Sequence, residues 1–347
     1  MKKLNLLIIL FFACFFIFGC EGGNNNSGTS NNNGNGETNN ESTSNAHILN
    51  ENYEMHKILH KYDQLTEVEI SYVYIGYYPQ TEIKDEKIIK ALKAIKTTNE
   101  RGYIEYEGHE FLEYKVVRNH KYVSDAQNTD EIYENGTGYK PGTTHYFLVQ
   151  PIAWKVLYHD TEKNTYFLQT EMIIDSRAYH SNSDSINIDG VTYYATNYEH
   201  SEIRKWLNED FIDLCFTEEE KAFLQETLND NEPKEDGYNH LKIPNDQTTD
   251  LCFLLGLKDA GDMKYNFYNG LVCDKSRFAT ATDLSNAKGL IKHVITGKTT
   301  SIWMTRTTNE PNRYMINYIG YDGLGVNDFY CDASNVGIRP CITVKFE

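Results

Sequence analysis

Short runs of aromatic and β-branched residues recur along the chain, and such runs are typical of β-strands. The run ISYVYIGYY at residues 70–78 predicts a strand. We expect Pro79 to end it, because proline cannot donate a backbone hydrogen bond to a neighbouring strand. The runs at residues 145–159 and 165–175 predict an antiparallel pair joined by the polar turn of residues 160–164. This pair is the strongest sheet pattern in the sequence.

Further strands are predicted on both sides of this pair. They are a hairpin over residues 103–117 that turns at Gly108, and single strands at residues 251–257, 301–305 and 341–346. In the last strand, Ile342, Val344 and Phe346 alternate with other residues and are expected to face the core.

Amphipathic helices are predicted where apolar residues recur every three or four positions. The first predicted helix covers residues 84–96, with Ile88, Ile89, Leu92 and Ile95 on one face. The second covers residues 201–216 and begins behind an N-cap at Ser201. The third covers residues 217–228, where Thr217 and Glu220 form a capping box. Strands therefore come in runs that a block of helices interrupts. This order favours an α+β fold over a regular βαβ succession, and we expect a single compact mixed domain over residues 47–347.

The first residues of the chain have the pattern of a secretory signal peptide. Lys2 and Lys3 precede an apolar run from Leu4 to Phe18, which is shorter than the roughly 20 residues that cross a bilayer. The four residues Ile17-Phe18-Gly19-Cys20 resemble the lipobox of bacterial lipoproteins. The resemblance implies removal of residues 1–19 and a diacylglyceryl thioether on Cys20. The alternative is an ordinary apolar segment that contains a cysteine.

A polar segment follows the predicted lipid attachment site. Residues 21–46 contain no large apolar side chain, so they cannot bury enough surface to offset the entropy of folding. We interpret residues 20–46 as a lipid-anchored disordered linker, with a root-mean-square reach of about 30 Å.

Charge limits the classes of partner. The chain carries 33 basic and 50 acidic residues, for a formal net charge of −17. An acidic surface repels phosphate backbones, which argues against a nucleic-acid partner. The net charge does not exclude cations, neutral sugars or proteins as ligands.

The cysteine pattern does not predict a redox or zinc motif. After Cys20 the chain has Cys215, Cys252, Cys273, Cys331 and Cys341, and no two of them form a C-x-x-C pair. An odd number cannot all pair. A disulfide between Cys331 and Cys341 is allowed in an exported protein but is not required.

Short motifs follow one another in a fixed order from about residue 72 to the C-terminus. They are GYYPQT (76–81), PIAWKVL (151–157), SEIRKWLN (201–208) with Phe211, DLCFLL (250–255), WMTR (303–306) and GIRP (337–340). Together they resemble a large family of bacterial surface proteins known as domain of unknown function 6273, which has no established reaction. The last two motifs are similar to the end of formylglycine-generating-enzyme and C-type-lectin-like folds. That similarity implies a final strand beside the first and termini close together.

Tryptophans and arginines of these motifs are candidates for a ligand-binding ring. The set is Trp154, Trp206, Trp303, Arg204, Arg306 and Arg339. The competing interpretation is structural: tryptophans pack in the core, and guanidinium groups bridge carboxylates or loop carbonyls. Because Trp206 lies on the apolar stripe of its predicted helix, we favour the structural interpretation.

A possible calcium site is the sharpest local pattern. Glu310-Pro311-Asn312 and the later pair Asn327-Asp328 resemble the calcium and sugar site of C-type lectins. The resemblance implies that Glu310, Asn312, Asn327 and Asp328 supply oxygen ligands, which calcium prefers. Calcium is therefore a possible cofactor, and no other cofactor is indicated.

The leading functional hypothesis is a non-catalytic binding or adhesion lipoprotein. It would be held through Cys20 on the extracytoplasmic side of a cell membrane or outer membrane, with a glycan or a surface protein as its ligand. A second hypothesis is a cofactor-dependent modifying enzyme of the formylglycine-generating type, in which Cys331 and Cys341 would bind copper. A third is a purely structural envelope protein.

Overall fold

A computed structural model describes residues 47–61, 67–117, 139–231, 247–267, 274–295, 298–308 and 314–346. Within these ranges the protein is mostly β-sheet with a few short helices. Strands and helices are numbered in chain order.

A ten-stranded sheet dominates the described part of the chain. It contains β1 (His47–Ile48), β2 (Glu54–Lys61), β3 (Glu67–Glu82), β4 (Ile104–Tyr106), β5 (His109–Lys115), β6 (Thr144–Asp160), β7 (Thr165–Thr170), β11 (Leu224–Gln225), β14 (Cys252–Leu254) and β21 (Pro340–Val344). The strand order is β1-β2-β3-β6-β7-β21-β11, with β14 also on β21 and the β4-β5 hairpin beside β6. We call this the main sheet.

A second sheet has five strands in the order β19-β18-β17-β20-β8. These are β8 (Asp175–Ser176), β17 (Trp303–Thr308), β18 (Met315–Ile319), β19 (Gly325–Tyr330) and β20 (Gly337–Ile338). Separate two-stranded ribbons are formed by β9 (Ser185–Ile188) with β10 (Val191–Tyr194), β12 (Thr227–Asn229) with β13 (Thr248–Asp250), and β15 (Lys292–Ile295) with β16 (Lys298–Ser301).

The helices are short. They are α1 (Glu86–Ala94), α2 (Glu202–Trp206), which continues through a π-helical stretch (Leu207–Phe211) into α3 (Ile212–Cys215), then α4 (Glu218–Lys221), α5 (Leu257–Ala260) and α6 (Asp283–Ala287). Single 3₁₀ turns lie at Met263–Tyr265 and Lys275–Arg277. None of the helices in the described ranges is long and apolar enough to cross a membrane.

The strongest sequence patterns are confirmed. The β6-β7 pair and the β4-β5 hairpin form as predicted, although β7 ends at Thr170 and not at residue 175, and Gly108 takes a φ of 78° in the hairpin turn. Helix α1 begins behind Asp85, whose carboxylate accepts hydrogen bonds from two backbone amides. Its residue Leu92 is fully buried on the β4-β5 hairpin. Ser201 caps α2 by accepting from the backbone amide of Arg204.

The expected strand end at Pro79 is wrong. Strand β3 runs on to Glu82, and Pro79 pairs with Val149 of β6. Two register shifts flank this stretch, one at Ile75-Gly76 and one at Gln80. Strand β2 pairs with β3 only as far as Val73, so at Pro79 no described strand borders the other edge of β3. The missing N–H of proline is tolerated at such an edge.

The predicted helix over residues 217–228 is correct only in its first turn. The capping box of Thr217 and Glu220 is present, but α4 ends at Lys221. Leu224 and Gln225 then pair with β21. Pairing with the last strand of the main sheet therefore overrides the local helical pattern.

The last strand lies elsewhere than the fold resemblance implied. Strand β21 pairs with β7, β11 and β14, whereas β1 lies at the far end of the main sheet. The expected final strand beside the first is therefore wrong. The two ends of the described chain nevertheless meet through side chains, because the rings of Tyr53 and Phe346 lie 5.4 Å apart.

The main sheet continues into the second sheet at two crossovers. Residues 171–174 connect β7 to β8, and Arg339 connects β20 to β21. One continuous apolar core contains residues of both sheets and of the α2-α3 segment. Of the expected core residues in the last strand, Ile342 and Val344 are fully buried and Phe346 is 4% exposed.

Candidate functional site

The predicted lipid attachment site and most of the predicted calcium site lie outside the described residues. Cys20, Glu310 and Asn312 fall there. For Asn327 and Asp328 the structure describes only the backbone, which continues strand β19. Within the described ranges, no group of three or more His, Cys, Asp or Glu side chains is placed to hold a metal ion.

The three tryptophans are buried and do not line one cavity. Trp154 and Trp303 are fully buried, and Trp206 is 5% exposed. The indole of Trp154 donates to the carbonyl of Ile75 at 2.8 Å, and that of Trp303 donates to the carbonyl of Arg277 at 3.1 Å. Each indole thus supports a different stretch of backbone.

The three arginines hold loops and strands together. Arg204 donates through Nε to Asp250 at 2.6 Å, and the other oxygen of Asp250 accepts from Asn229 and Thr248. Arg306 donates to the carbonyls of Leu254 and Asp230 and to Asp259. These contacts join the α2 region, ribbon β12-β13 and β14.

Arg339 fastens the crossovers between the two sheets. Its Nε and Nη2 atoms donate to the carbonyl of Thr170, and Nη2 also donates to the carbonyl of Glu171. Its guanidinium carbon lies 5.0 Å from the ring centre of Trp303. The Gly-x-Arg-Pro motif therefore places an arginine of one crossover against the backbone of the other.

A charged cluster around Asp175 had no sequence motif to indicate it. Asp175 is fully buried and accepts from Tyr78 at 2.6 Å, from Lys288 at 2.7 Å and from Arg177 at 3.2 Å. Burial by itself would raise the pKa of Asp175, but the charges of Lys288 and Arg177 outweigh burial and hold that pKa below its usual value. The guanidinium of Arg177 also stacks at 4.1 Å over the ring of Trp206. The cluster joins β3, β8 and the end of α6, so it is a buried electrostatic joint.

An open cleft lies between α6 and ribbon β15-β16. We call it the threonine cleft. It has a volume of about 380 Å³, and its polar lining is Thr280, Asn286, Lys292, Thr299, Thr300 and Ser301. Thr282 caps α6 and also donates its backbone amide to the carbonyl of Ile173, which fixes the helix on the connection between β7 and β8.

Asn286 is the unusual residue of this cleft. Its side chain is 9% exposed, and its Oδ1 atom is buried with no hydrogen-bond partner among the described residues. A buried acceptor with no partner is uncommon in native proteins and requires an explanation. Lys292 lies on the opposite wall, half-buried, and burial lowers the pKa of its ammonium group.

An aromatic pair lies next to the ribbon that forms one wall of the threonine cleft. The rings of His293 and Tyr321 stack with their centres 4.0 Å apart, and both side chains are exposed. Thr300 connects the pair to the cleft, because it lies directly opposite His293 in the ribbon and donates to the carbonyl of Tyr321 at 2.9 Å. The cleft thus combines hydroxyl, amide and ammonium groups, and Thr300 links it to the aromatic pair.

Comparison with known proteins identifies one family. The chain matches the family model described as domain of unknown function (DUF6273) over residues 163–346. The chain belongs to this family. No curated protein and no solved structure matches it significantly.

The DUF6273 match is shorter than the sequence resemblance suggested. It begins just before β7 and omits the motifs at residues 76–81 and 151–157. The threonine cleft, the His293–Tyr321 pair and the three arginine networks all lie within the DUF6273 region. Of the Asp175 cluster, only Tyr78 lies outside it.

Both cysteines proposed as copper ligands are buried. Cys341 belongs to β21 of the main sheet, whereas Cys331 follows β19 of the second sheet, and no disulfide joins them. The allowed disulfide is therefore not formed. Burial raises the pKa of the Cys341 thiol, so the thiol stays protonated and is a poor metal ligand.

Proposed function

We propose that the protein is a lipid-anchored, extracytoplasmic binding module that takes a neutral, hydroxyl-rich ligand such as a glycan in the threonine cleft. The observation that carries this proposal is the buried, unpartnered Oδ1 atom of Asn286 beside an open cleft. Rotation of the Asn286 carboxamide towards the cleft lets a ligand hydroxyl supply the donor that this buried acceptor lacks. Leaving such a group unpaired costs about 1–3 kcal/mol, so binding removes a penalty that the protein otherwise carries.

The chemistry of the cleft favours a polyol over a charged ligand. Hydroxyl groups both donate and accept, so Thr299 and its neighbours match ligand hydroxyls in either role. Tyr321 and His293 offer an apolar face beside the polar groups, which suits a ring with a C–H face and a hydroxyl edge. The acidic chain disfavours polyanions.

The anchor rests on the sequence of residues 1–46. A basic start, a short apolar run and Cys20 support export and lipidation, and two or more acyl chains hold a protein on a membrane almost irreversibly. In this arrangement the linker lets the folded part contact ligands near the membrane surface. A resemblance to C-type-lectin-like folds, with calcium at Glu310, Asn312, Asn327 and Asp328, is part of the same hypothesis.

Ligand binding is tested on the purified protein with a glycan array, followed by calorimetry on each hit. We expect Asn286→Ala and Thr299→Ala to weaken binding at least tenfold, and Thr161→Ala, an exposed threonine in the β6-β7 turn, to leave it unchanged. Thr299 is exposed, so its replacement is not expected to disturb folding. Equal affinities in all three variants would place the ligand elsewhere and reject the cleft.

The anchor is tested by mass spectrometry of the protein isolated from its native membrane. We expect an N-terminal peptide that begins at a lipid-modified Cys20, and we expect Cys20→Ser to release the protein into the soluble fraction. A chain that still starts at Met1 with an unmodified Cys20 thiol contradicts the anchor. Calcium is examined separately, by comparing thermal unfolding with calcium and with a chelator.

A further inference from the structure

Lys155 is a buried cation that forms no ion pair with any other described residue. It lies on β6, is 3% exposed, and has its Nζ atom 3.5 Å from the carbonyl oxygen of Ser276 and 5.3 Å from the ring centre of Phe267. An ammonium group has three donors, so one long hydrogen bond leaves it poorly satisfied. Burying a charge in this way is costly unless the charge is paired or removed.

Gln169 lies directly opposite Lys155 on the neighbouring strand β7. It is fully buried, and within the described part of the chain neither Oε1 nor Nε2 has a hydrogen-bond partner. Directly opposed residues of an antiparallel pair point to the same face of the sheet, with Cβ atoms about 5 Å apart. A buried amine and a buried, unpartnered carboxamide therefore share one face of the main sheet.

The surroundings of this pair exclude water. In the same row across the main sheet, Tyr72 of β3 lies opposite Lys155 and is 3% exposed, and Cys341 of β21 lies opposite Gln169 and is fully buried. Phe267 packs near the amine from outside the sheet. Burial lowers the pKa of Lys155 to about 8, so part of the population has the neutral, nucleophilic amine near neutral pH.

We propose that Lys155 and Gln169 react with each other to form an intramolecular amide cross-link between β6 and β7. The Nζ atom of the neutral amine attacks Cδ of Gln169, and a new Nζ–Cδ bond forms while the bond from Cδ to Nε2 breaks. The proton lost by Nζ goes to Nε2, which leaves as ammonia. No oxidation or reduction takes place, and no co-reactant is needed.

The cross-link resolves both unfavourable features of the pair. It replaces a buried cation by a neutral amide, and it removes the amide nitrogen that has no hydrogen-bond partner. The register of the β6-β7 ladder places the two side chains next to each other on one face of the sheet, so the amine and the carboxamide approach each other by side-chain rotation. Exclusion of water protects the new amide from hydrolysis.

The proposed bond would connect two parts of the main sheet. Lys155 precedes the DUF6273 region and Gln169 lies inside it. The bond therefore joins the β1–β6 half of the main sheet covalently to the half that leads into the second sheet. This proposal does not depend on the ligand of the threonine cleft.

Peptide mapping of the full-length protein by trypsin and mass spectrometry tests the cross-link. Trypsin cuts after Lys163, between the two residues, so unlinked peptides separate. We expect instead one branched peptide that contains both residues, is uncut after Lys155, and is lighter than the sum of its parts by one ammonia molecule. Separate, unmodified peptides, with normal cleavage after Lys155, would overturn the proposal.

Two variants test whether Lys155 and Gln169 are the linked residues. Lys155→Arg and Gln169→Leu each remove one partner, and we expect the branched peptide to be lost completely in both. Lys57→Arg, a change in an exposed ion pair of β2, serves as the matched control and should keep it. If a variant does not fold, the map of the unaltered protein still decides the question. A branched peptide that persists in Gln169→Leu assigns the link to another residue and refutes this pair.

Discussion

Gly76 illustrates how one residue shapes the longest part of the main sheet. Its φ is 68°, and a Cβ atom placed on it would lie 2.8 Å from the ring of Phe216. Both features arise because β3 carries an extra residue here relative to β6. Only glycine satisfies the conformation and the close approach together.

We predict that Gly76→Ala lowers the free energy of unfolding by about 3 kcal/mol, since backbone strain and overpacking add. Gly108→Ala is the matched control, because its φ of 78° is similar but no atom lies within 4 Å of the added Cβ. The control should lose about 1 kcal/mol. Chemical denaturation measures both, and equal losses would show that Phe216 does not resist the change.

Asp175 is the counter-charge of two cations, so we expect its removal to destabilise the protein strongly. We predict that Asp175→Asn lowers the free energy of unfolding by about 3 kcal/mol, because Lys288 and Arg177 lose their shared partner. The control is Asp213→Asn, which breaks an exposed ion pair with Lys221 and should have little effect. If Asp175→Asn is as mild as the control, the cluster is not a stabilising joint.

The same residue predicts a pH dependence. Because the pKa of Asp175 is lower in the folded state than in the unfolded state, its contribution to stability is fully present above the unfolded value of about 3.9. That contribution is lost as the pH falls through the folded pKa. We therefore expect the difference in free energy of unfolding between the unaltered protein and Asp175→Asn to be constant from about pH 5 to about pH 7. Below about pH 4 this difference should shrink. Denaturation curves at stepped pH measure it, and a difference that grows in acid contradicts the assigned direction.

At the scale of elements, the strongly periodic segments could be predicted and the short ones could not. Helix α1 and the β4-β5 hairpin follow from local pattern, because each has its own cap or turn residue and one apolar face. The stretch after Lys221 has the composition of a helix, yet Leu224 pairs with Val344 of β21. No local pattern reports a partner more than a hundred residues away.

Helix α4 is a single turn whose position is fixed by the hydrogen bonds of Glu220. Its carboxylate accepts from the backbone amides of Thr217 and Gly76 at 2.9 Å and from the hydroxyl of Tyr53 at 3.2 Å. The residue is 4% exposed. One carboxylate thus connects the helix to β3 and to the start of the described chain.

We predict that Glu220→Ala lowers the free energy of unfolding by about 3 kcal/mol, because it leaves several buried donors unsatisfied. Glu219→Ala, an exposed neighbour in the same turn, is the matched control and should change stability little. Urea denaturation compares the two. Similar effects would mean that the turn, and not the carboxylate network, is what matters.

At the scale of the whole molecule, the two ends of the described chain are held together by the packing of aromatic rings. Phe346 contacts the rings of Tyr53, Phe223 and Tyr166 at centroid distances of 5.4, 5.3 and 6.2 Å. Phe346 lies just beyond the last strand, so this cluster fixes the start of the described chain against its end.

Phe346→Ala is expected to lower the free energy of unfolding by about 3 kcal/mol, because it removes a buried ring and leaves a cavity. Leu228→Ala, which shortens a side chain that is 63% exposed, is the control and should be close to neutral. Thermal or chemical unfolding followed by tyrosine fluorescence reports the difference. A neutral Phe346→Ala would show that the ends are not held by this contact.

The candidate site shows the limit of prediction from motifs. Trp154 and Arg339 stand in recognisable motifs, and the structure places both in supporting roles. The threonine cleft is formed by ordinary residues, such as Asn286 and Thr299, from segments that carry no motif. Their significance comes from a buried acceptor left unpaired next to an open cleft, which is a property of three-dimensional packing.

The sequence by itself determined the charge of the protein, its predicted export segment, the longest strands and α1, and the family to which it belongs. These properties depend on composition, local periodicity and the order of short motifs. Tertiary structure alone decided that Pro79 stays within a strand, that Leu224 joins a sheet, and that Lys155 faces Gln169. The reason is physical: strand register and the burial of polar groups depend on contacts between distant segments, and those contacts exist only once the chain has folded.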